Sequence, residues 1–239
     1  MRQTLKGMKR IDVTPAIVQI TRFGLVNCFL VLEPDGWFLV DTGLRGSAAF
    51  IRQTARDLPL RYILLTHAHL DHAGSVDELL SPGGVSFVAS ERDARLLAGD
   101  RSFSAGEQPT HLTVGYIRIQ ARPRQTLHTG DRVGPFVALE TPGHTPGHIA
   151  FWDDRDGTLF AGDALINLGK LHVAGIRYWR SPFSRIATWN PRIALESARK
   201  MLALKPQRIL FGHGPCLSQP ANALAHAIEG AERRLDHAA

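Results

Sequence analysis

Six consecutive residues, His67-Ala68-His69-Leu70-Asp71-His72, constrain this chain more than any other stretch. They carry three imidazoles and one carboxylate. On a strand or extended loop successive side chains alternate in direction, so His67 and His69 point the same way. Asp71 and His72 project differently if the chain turns into a helix there. The preceding Tyr62-Ile63-Leu64-Leu65-Thr66 is a short apolar run of the kind a buried strand shows, and Ala73 to Leu80 can begin a helix. The cluster is therefore expected at a strand end, where open α/β sheets place their sites. A lone histidine is ordinary surface decoration. Three with an aspartate at this density point to a metal, and neutral imidazole with carboxylate suits zinc, iron and similar first-row ions.

Ligand-type residues recur at other expected strand ends. Ile17 to Ile20 and Leu25 to Leu32 read as β, and Trp37 to Val40 returns across the turn Pro34-Asp35-Gly36 to end at Asp41-Thr42-Gly43. Ser47 to Leu58 has helical spacing, with Ser47 as N-cap. Val85 to Val88 reads as a strand, Ser90 to Leu97 as a helix start, and Tyr116 to Ile119 as a further strand. Phe136 to Glu140 runs into Thr141-Pro142-Gly143-His144-Thr145-Pro146-Gly147-His148. Ile149 to Trp152 and Thr158 to Ala161 lead to Gly162-Asp163. Asn190 caps a helix from Pro191 to Leu204, Gln207 to Phe211 ends in Gly212-His213-Gly214, and Pro220 to Leu235 is a last helix. Glycine near each of these ends lets the backbone turn tightly and leaves room for an ion. Both halves carry strands and helices, with no linker and no repeat. The expected fold is α/β: one domain spanning 1–239, a four-layer αββα sandwich of two mixed β-sheets with outer helices.

Composition narrows the function classes. Of 239 residues 44% are hydrophobic, enough for a real core. No apolar run reaches the roughly 18 residues that span a bilayer, and no long apolar segment follows the basic Met1 to Arg10, so neither a membrane span nor a signal peptide is expected. Two cysteines, Cys28 and Cys216, are too few for a disulfide framework and fit a cytoplasmic protein. The net charge of +6 is scattered rather than gathered in runs, so no nucleic-acid partner is expected, while an anionic small substrate fits. Oligomeric state is left open, a dimer included. Residues 164–190 follow Asp163 directly and read as irregular. Their Tyr178, Trp179 and Arg180, with Phe183, Trp189, Arg177 and Arg185 nearby, are the expected substrate contacts: aromatics and arginine together can clasp an apolar substrate with an anionic end. Residues 99–127 show little periodicity. His111, His128 and His172 read as surface or loop histidines.

Taken together, Val-Asp41-Thr-Gly, the His67–His72 cluster, His144 and its flanking Thr-Pro-Gly repeats, Ala-Gly-Asp163-Ala and Gly-His213-Gly resemble the metallo-β-lactamase-fold metallo-hydrolase superfamily over roughly residues 15–215. The match is to the branch with a complete His-x-His-x-Asp-His motif, similar to glyoxalase II-like and lactonase-like members. The resemblance implies a binuclear site of two divalent ions, zinc first, with iron or manganese as alternatives. His67, His69 and His144 would hold one ion, and Asp71, His72 and His213 the other. Asp163 would bridge them, and Asp41 would stand behind the ligands and fix their orientation. His144, rather than His148, matches the family's ligand position. The implied chemistry is hydrolysis, a metal-bridging hydroxide attacking an ester, thioester or lactone carbonyl of a small molecule, with Asp71 the catalytic residue that also holds the nucleophile in line. The alternatives are a mononuclear iron enzyme similar to persulfide dioxygenases, and a phosphodiesterase or nuclease of the same superfamily. Lactonases carry a tyrosine three residues after the bridging aspartate, where this chain has Ile166.

Overall fold

Strands with apolar side chains on both faces must be covered on both faces, and that requirement builds this molecule. A computed structural model describes residues 7–81, 83–107 and 114–237. The first half forms a mixed sheet of β1 (Met8–Asp12), β2 (Ile17–Arg22), β3 (Val26–Glu33), β4 (Gly36–Val40), β5 (Leu60–Leu64), β6 (Ser86–Ser90) and β7 (Gln125–Leu127), ordered in space as in sequence. It is antiparallel up to β4 and parallel from β4 on. Its helices are α1 (Ala48–Ala55), the short α2 (Leu70–Ala73) and α3 (Val76–Leu80), and α4 (Glu91–Leu97). The second half contributes β8 (Arg132–Val133), β9 (Phe136–Glu140), β10 (Ile149–Asp153), β11 (Thr158–Gly162), a small hairpin of β12 (Leu165–Asn167) and β13 (Leu171–Val173), α5 (Phe183–Ala187), α6 (Pro191–Ala203), β14 (Arg208–Phe211), β15 (Leu217–Ser218) and α7 (Ala221–Asp236). The second sheet runs β15-β14-β11-β10-β9-β8, with β11 and β14 its parallel pair.

Alternation along the strands sorts the core into three apolar layers. Phe29, Val31, Phe38 and Val40 of the first sheet meet Ile149, Phe151, Phe160 and Leu210 of the second, all buried between the sheets. The intervening residues Cys28, Leu30 and Leu39 face outward onto Ile51 of α1, Val76 and Leu79 of α3, and Leu96 of α4. Ala150, Leu159, Ala161 and Ile209 face the other way, onto Ala194 and Met201 of α6 and Leu224 and Ile228 of α7. Helix, sheet, sheet, helix is the expected order of layers. The C-terminal ends of β4, β5, β9, β11 and β14 fall on one edge of this sandwich, and the ligand-type residues follow them.

Three local expectations are corrected. Ser47 occupies the N-cap position of α1 but makes no capping bond: its backbone is helical (φ −82°, ψ −17°), and its hydroxyl donates instead to the Leu44 carbonyl at 2.7 Å, closing the turn before the helix. Tyr116 to Ile119 is not a strand. It makes one bridge to His69, and Ile117 N donates to Ala68 O at 3.2 Å, so it pins the histidine loop instead of extending a sheet. Residues 164–190 are not irregular throughout, for they hold the β12–β13 hairpin and α5. Both elements are too short, at three to five residues, to leave a periodic signal. Asn190 caps α6 as expected, its side-chain oxygen accepting from Arg192 N and Ile193 N at 3.0 and 3.2 Å.

At the site edge the two sheets are tied by a polar side chain. Asn27 is 1% exposed at the start of β3. Its side-chain nitrogen donates to the carbonyls of Phe211 and Gly214 at 2.9 and 2.7 Å, and its backbone N–H to Gly212 O at 2.8 Å. Its oxygen accepts from Thr21 Oγ1 and Gln19 Nε2. Asn27→Ala strands two buried carbonyls on either side of His213. Chemical denaturation of the variant should show a loss of about 1–3 kcal/mol, the cost of leaving buried acceptors unmade. An unchanged midpoint would show that Asn27 does not join the sheets.

Candidate metal centre

The strand ends deliver seven side chains into one cluster. His67, His69 and His144 form one group, Asp71, His72 and His213 another, and His67, His72 and Asp163 a third between them, the atoms of each group lying within 4.8 Å of one another. His69 Nδ1 stands 3.0 Å from His144 Nε2. Asp163 reaches to both sides: its Oδ2 lies 3.0 Å from His213 Nε2 and 3.5 Å from His144 Nε2, and its Oδ1 is 3.4 Å from His72 Nε2. Asp71 Oδ2 is 3.4 Å from His213 Nε2 and 3.7 Å from His72 Nε2. Atoms bound at about 2.0–2.1 Å around a tetrahedral ion stand roughly 3.3 Å apart, so these spacings suit shared coordination.

Four imidazoles are turned by the same device. An outer acceptor takes Nδ1–H and leaves Nε2 inward. His72 Nδ1 donates to Asp41 Oδ2 at 2.8 Å. His67 Nδ1 donates to Thr66 Oγ1 at 2.9 Å, and that hydroxyl donates in turn to Asp41 Oδ2. His144 Nδ1 donates to Thr188 Oγ1 at 3.1 Å, whose own proton goes to Ser184 O. His213 Nδ1 donates to Leu25 O at 2.9 Å. The inward atoms His67 Nε2, His72 Nε2 and Asp163 Oδ1 are buried with no hydrogen-bond partner. Buried polar atoms without a partner are rare and ask for an explanation; a metal ion would supply it, and the donor set fits one. Asp41 holds a left-handed backbone, φ 60°, a conformation that costs a non-glycine residue on the order of 1 kcal/mol. Its carboxylate is thereby aimed at Thr66 and His72. Gly212 is required for a steric reason: a Cβ there would come within 2.1 Å of Asp163 Oδ1 and 2.5 Å of His72 Cε1.

Charge divides the cluster. Burial, reinforced by neighbouring imidazoles, keeps His67 and His144 well below the usual histidine range. Burial brings His69 down to about 4, against the pull of Asp71 and Asp163. These rings are neutral, as ligands must be. On the other side burial opposes charge on His72 and His213 but loses. Asp163, Asp71 and Asp41 raise His72 well above its usual range, and Asp163 and Asp71 raise His213 to about 10. Asp163 and Asp71 are pulled the opposite way, below the carboxylate range despite their burial. The Asp71–His72–His213 side therefore calls for positive charge, whether from protons or from a cation.

The Metallo-beta-lactamase superfamily description matches residues 21–213. The chain belongs to that superfamily. It is 40% identical over 231 residues to the uncharacterized protein YobT of Bacillus subtilis, covering 94% of this chain and 99% of that one. It is 28% identical over 202 residues to the probable metallo-hydrolase YflN of the same species, 76% of each chain. The structure of TTHA1623 in a di-iron-bound form superposes with a TM-score of 0.64 at 27% identity, covering 90% of this chain and 96% of that one.

Within this superfamily member every expected ligand position falls in the cluster, and His148 stands just behind it. Its Nε2 accepts from Asp163 N at 3.1 Å while its Nδ1 donates to Thr141 Oγ1 at 2.8 Å. A pocket of about 440 Å³ opens onto His69, Asp71, His144, Asp163 and His213. Arg180 lines it. Tyr178 and Trp179, grouped with Arg180 as expected contacts, do not. Tyr178 packs on the His172 ring at 5.1 Å, and Trp179 is 78% exposed at the tip of a turn closed by Ser181 N to Tyr178 O at 3.0 Å. Phe183 and Ile186 of α5 take their place in the wall. His172 is buried, His128 is exposed, and His111 lies outside the described residues.

One residue of the site escaped the sequence reading. Asp93 is 1% exposed in α4. Its Oδ2 accepts from Ala68 N at 2.8 Å and Thr145 Oγ1 at 2.9 Å, and its Oδ1 from Gly147 N at 3.1 Å. It thus clamps the loop between His67 and His69 to the loop after His144. Burial raises it to about 7, against those three donors and Arg92. Asp93→Asn keeps every ligand but turns one acceptor into a donor facing donors. Its metal affinity, measured by chelator competition, should fall about 10- to 100-fold, the scale of losses when supporting contacts at metal sites are removed. A pH signature accompanies this. The folded metal-free protein keeps the Asp93 proton up to about pH 7, whereas the unfolded chain loses it near 4. Between those values the native state binds more protons, so this contribution to stability is present below pH 4 and is lost as pH rises to 7. Wild-type stability relative to Asp93→Asn should therefore decline across that window in denaturant titrations; a flat difference would sink this reading.

Proposed function

We propose that this chain is a binuclear metal-dependent hydrolase acting on an ester, thioester or lactone carbonyl of a small molecule. The observation that carries the reading is the set of inward Nε2 atoms on both sides of Asp163, each fixed from behind through Nδ1. His67, His69 and His144 would hold one ion, Asp71, His72 and His213 the second, and Asp163 would serve both. Zinc is the expected occupant; the nitrogen and oxygen donors also suit iron or manganese. Two bound divalent ions supply an activated water and an electrophilic anchor for the developing oxyanion.

The rest falls to the chain's own groups. Asp71 is partly exposed, its side chain at 25%, and lines the pocket. It can accept a hydrogen bond from the attacking water at Oδ2 and take its proton, then return that proton to the leaving group. His213 and His72 flank it and keep it ionised. Asp41 and Thr66 hold the rings in orientation. The pocket walls seat the substrate and limit water to the reacting face. A mononuclear iron enzyme would leave the gathered Asp71, His72 and His213 without a use, and the binuclear reading uses all three. In support, hydroxyacylglutathione hydrolase of Rhodospirillum rubrum is 31% identical over 156 residues, covering 64% of this chain and 48% of its own length.

Metal analysis of protein purified without added metal should give close to two ions per chain. Asp163→Ala should lose both, and His213→Ala mainly one, because a shared ligand serves two ions and a terminal ligand one. The assignment would be reversed by His213→Ala losing both while Asp163→Ala retains both. One tightly held iron in the wild type would instead favour the mononuclear alternative.

Asp71→Ala separates ligation from proton handling. With saturating metal and rates normalised to occupancy, hydrolysis of any ester or thioester the wild type cleaves should fall by about 10²–10⁴-fold, the usual worth of a positioned acid–base group. A normalised rate equal to wild type would leave Asp71 with a ligand's role alone.

A further inference from the structure

Nine large apolar side chains are exposed among the described residues. Four of them, Leu25, Val114, Phe183 and Ile186, line the pocket that reaches the ligand cluster, at 51%, 67%, 73% and 58% exposure. Scattered exposed leucines mean little, whereas apolar side chains gathered round one mouth mark a binding surface. The walls continue inward on apolar atoms: Val26 beside Leu25, and Ile166 and Leu168 of the β12 hairpin facing α5. The volume, about 440 Å³, is that of a small-molecule site. Arg180 stands on the rim with its guanidinium 5.5 Å from the centre of the Trp179 ring, and no carboxylate pairs with it among the described residues. A protein partner covering these side chains would close the pocket over Asp71 and the ligands. The occupant consistent with an open path is the substrate itself.

The geometry points to an amphiphilic acyl substrate: an ester or thioester whose acyl portion is an unbranched apolar chain lying along Leu25, Ile166, Phe183 and Ile186, and whose leaving portion carries an anionic group that Arg180 meets. The bond cleaved rests on the hydrolase reading; the binding of the arm does not. For a thioester, water oxygen forms the new bond to the carbonyl carbon, the C–S bond breaks, the sulfur leaves as a thiol with one proton, and the acid product releases the other. Ile166 lines the wall beside this path, so it offers the chain a methyl surface at that point.

Two measurements on the metal-loaded protein test this. The first compares kcat/KM for acetyl, butanoyl, hexanoyl and octanoyl thioesters of 3-mercaptopropionate and of 2-mercaptoethanol, all below micellar concentrations. Burial of a methylene is worth up to about fourfold in rate constant, so kcat/KM should climb by up to that factor per methylene. The carboxylate-bearing thiol should be preferred, and the preference should shrink with salt. The second titrates acetate, butanoate, hexanoate and octanoate calorimetrically, with no turnover involved. The double variant Phe183→Ser/Ile186→Ser, and Leu25→Ser on the facing wall, should each flatten the chain-length slope in both measurements. Leu58→Ser, exposed but away from the pocket, should keep it. Arg180→Ala should remove the preference for the anionic thiol.

A wild-type slope near one in both measurements, or a slope that Phe183→Ser/Ile186→Ser leaves intact, overturns the inference. Hydrolysis of thioesters without chain-length dependence overturns it while the hydrolase reading survives. Chain-length-dependent binding of the alkanoates with no thioester cleaved supports the apolar wall and removes the thioester as the bond cleaved.

Discussion

The fold depends on holding imidazole nitrogens in the wrong medium. Six histidines and three carboxylates lie in or against the cluster, and most are sealed from water. In that setting a ring nitrogen aimed at nothing is costly. The chain resolves this for His67, His72, His144 and His213 by giving each ring an acceptor on its outer side, so the tautomer is set before any ion arrives. Asp41 matters most, since one of its oxygens serves His72 directly and His67 through Thr66. The left-handed backbone at Asp41 is a local strain that this double service offsets. Without the outer acceptors the same residues would be a histidine-rich loop able to rotate away from one another.

Bringing those acceptors together is what two packed sheets accomplish. A single sheet could present Asp41 and the His67–His72 loop side by side, because β4 and β5 are adjacent and parallel. It could not also present Asp163 and His213, which need a second parallel pair, β11 and β14, on a facing sheet. The phenylalanines between the sheets fix their separation, and Asn27 fixes their alignment at the working edge. His213 shows the consequence: its strand belongs to the second sheet, yet its outer nitrogen bonds Leu25 of the first. Metal geometry here is a property of the interface between sheets.

This explains which parts were legible in the sequence. Ligands at strand ends show through because strand runs, glycine turns and His or Asp leave a local pattern, and both the layer order and the ligand cluster follow from it. Asp93 left no such signal. It stands three residues after Ser90, whose hydroxyl accepts from Asp93 N, so it reads as an ordinary acid in the first turn of a helix. Its other partners lie 25 to 54 positions away. Thr188 hides in the same manner, being one hydroxyl in a segment without periodicity. The pocket wall was misplaced by a few residues for a related reason. Composition shows that residues 164–190 are rich in aromatics and arginine, but only the tight turn at Tyr178–Ser181 decides that Trp179 faces out and that α5 carries the wall.

The same division separates chemistry from selection. The ligands stand on strand ends that three apolar layers hold in place, and a shift of any one would disturb the sheet beneath it. The wall stands on a short hairpin, a short helix and the loop bearing Val114, none of which carries a sheet. Residues there can change size or charge at little cost to the layers, because Phe183 and Ile186 are already exposed and bear no packing load. A superfamily member built this way can keep one hydrolytic centre while exchanging substrates. What this chain accepts is then decided by the few apolar side chains at its mouth and the one arginine beside them, while Asp41, Asp93 and Asn27 decide only that the centre exists.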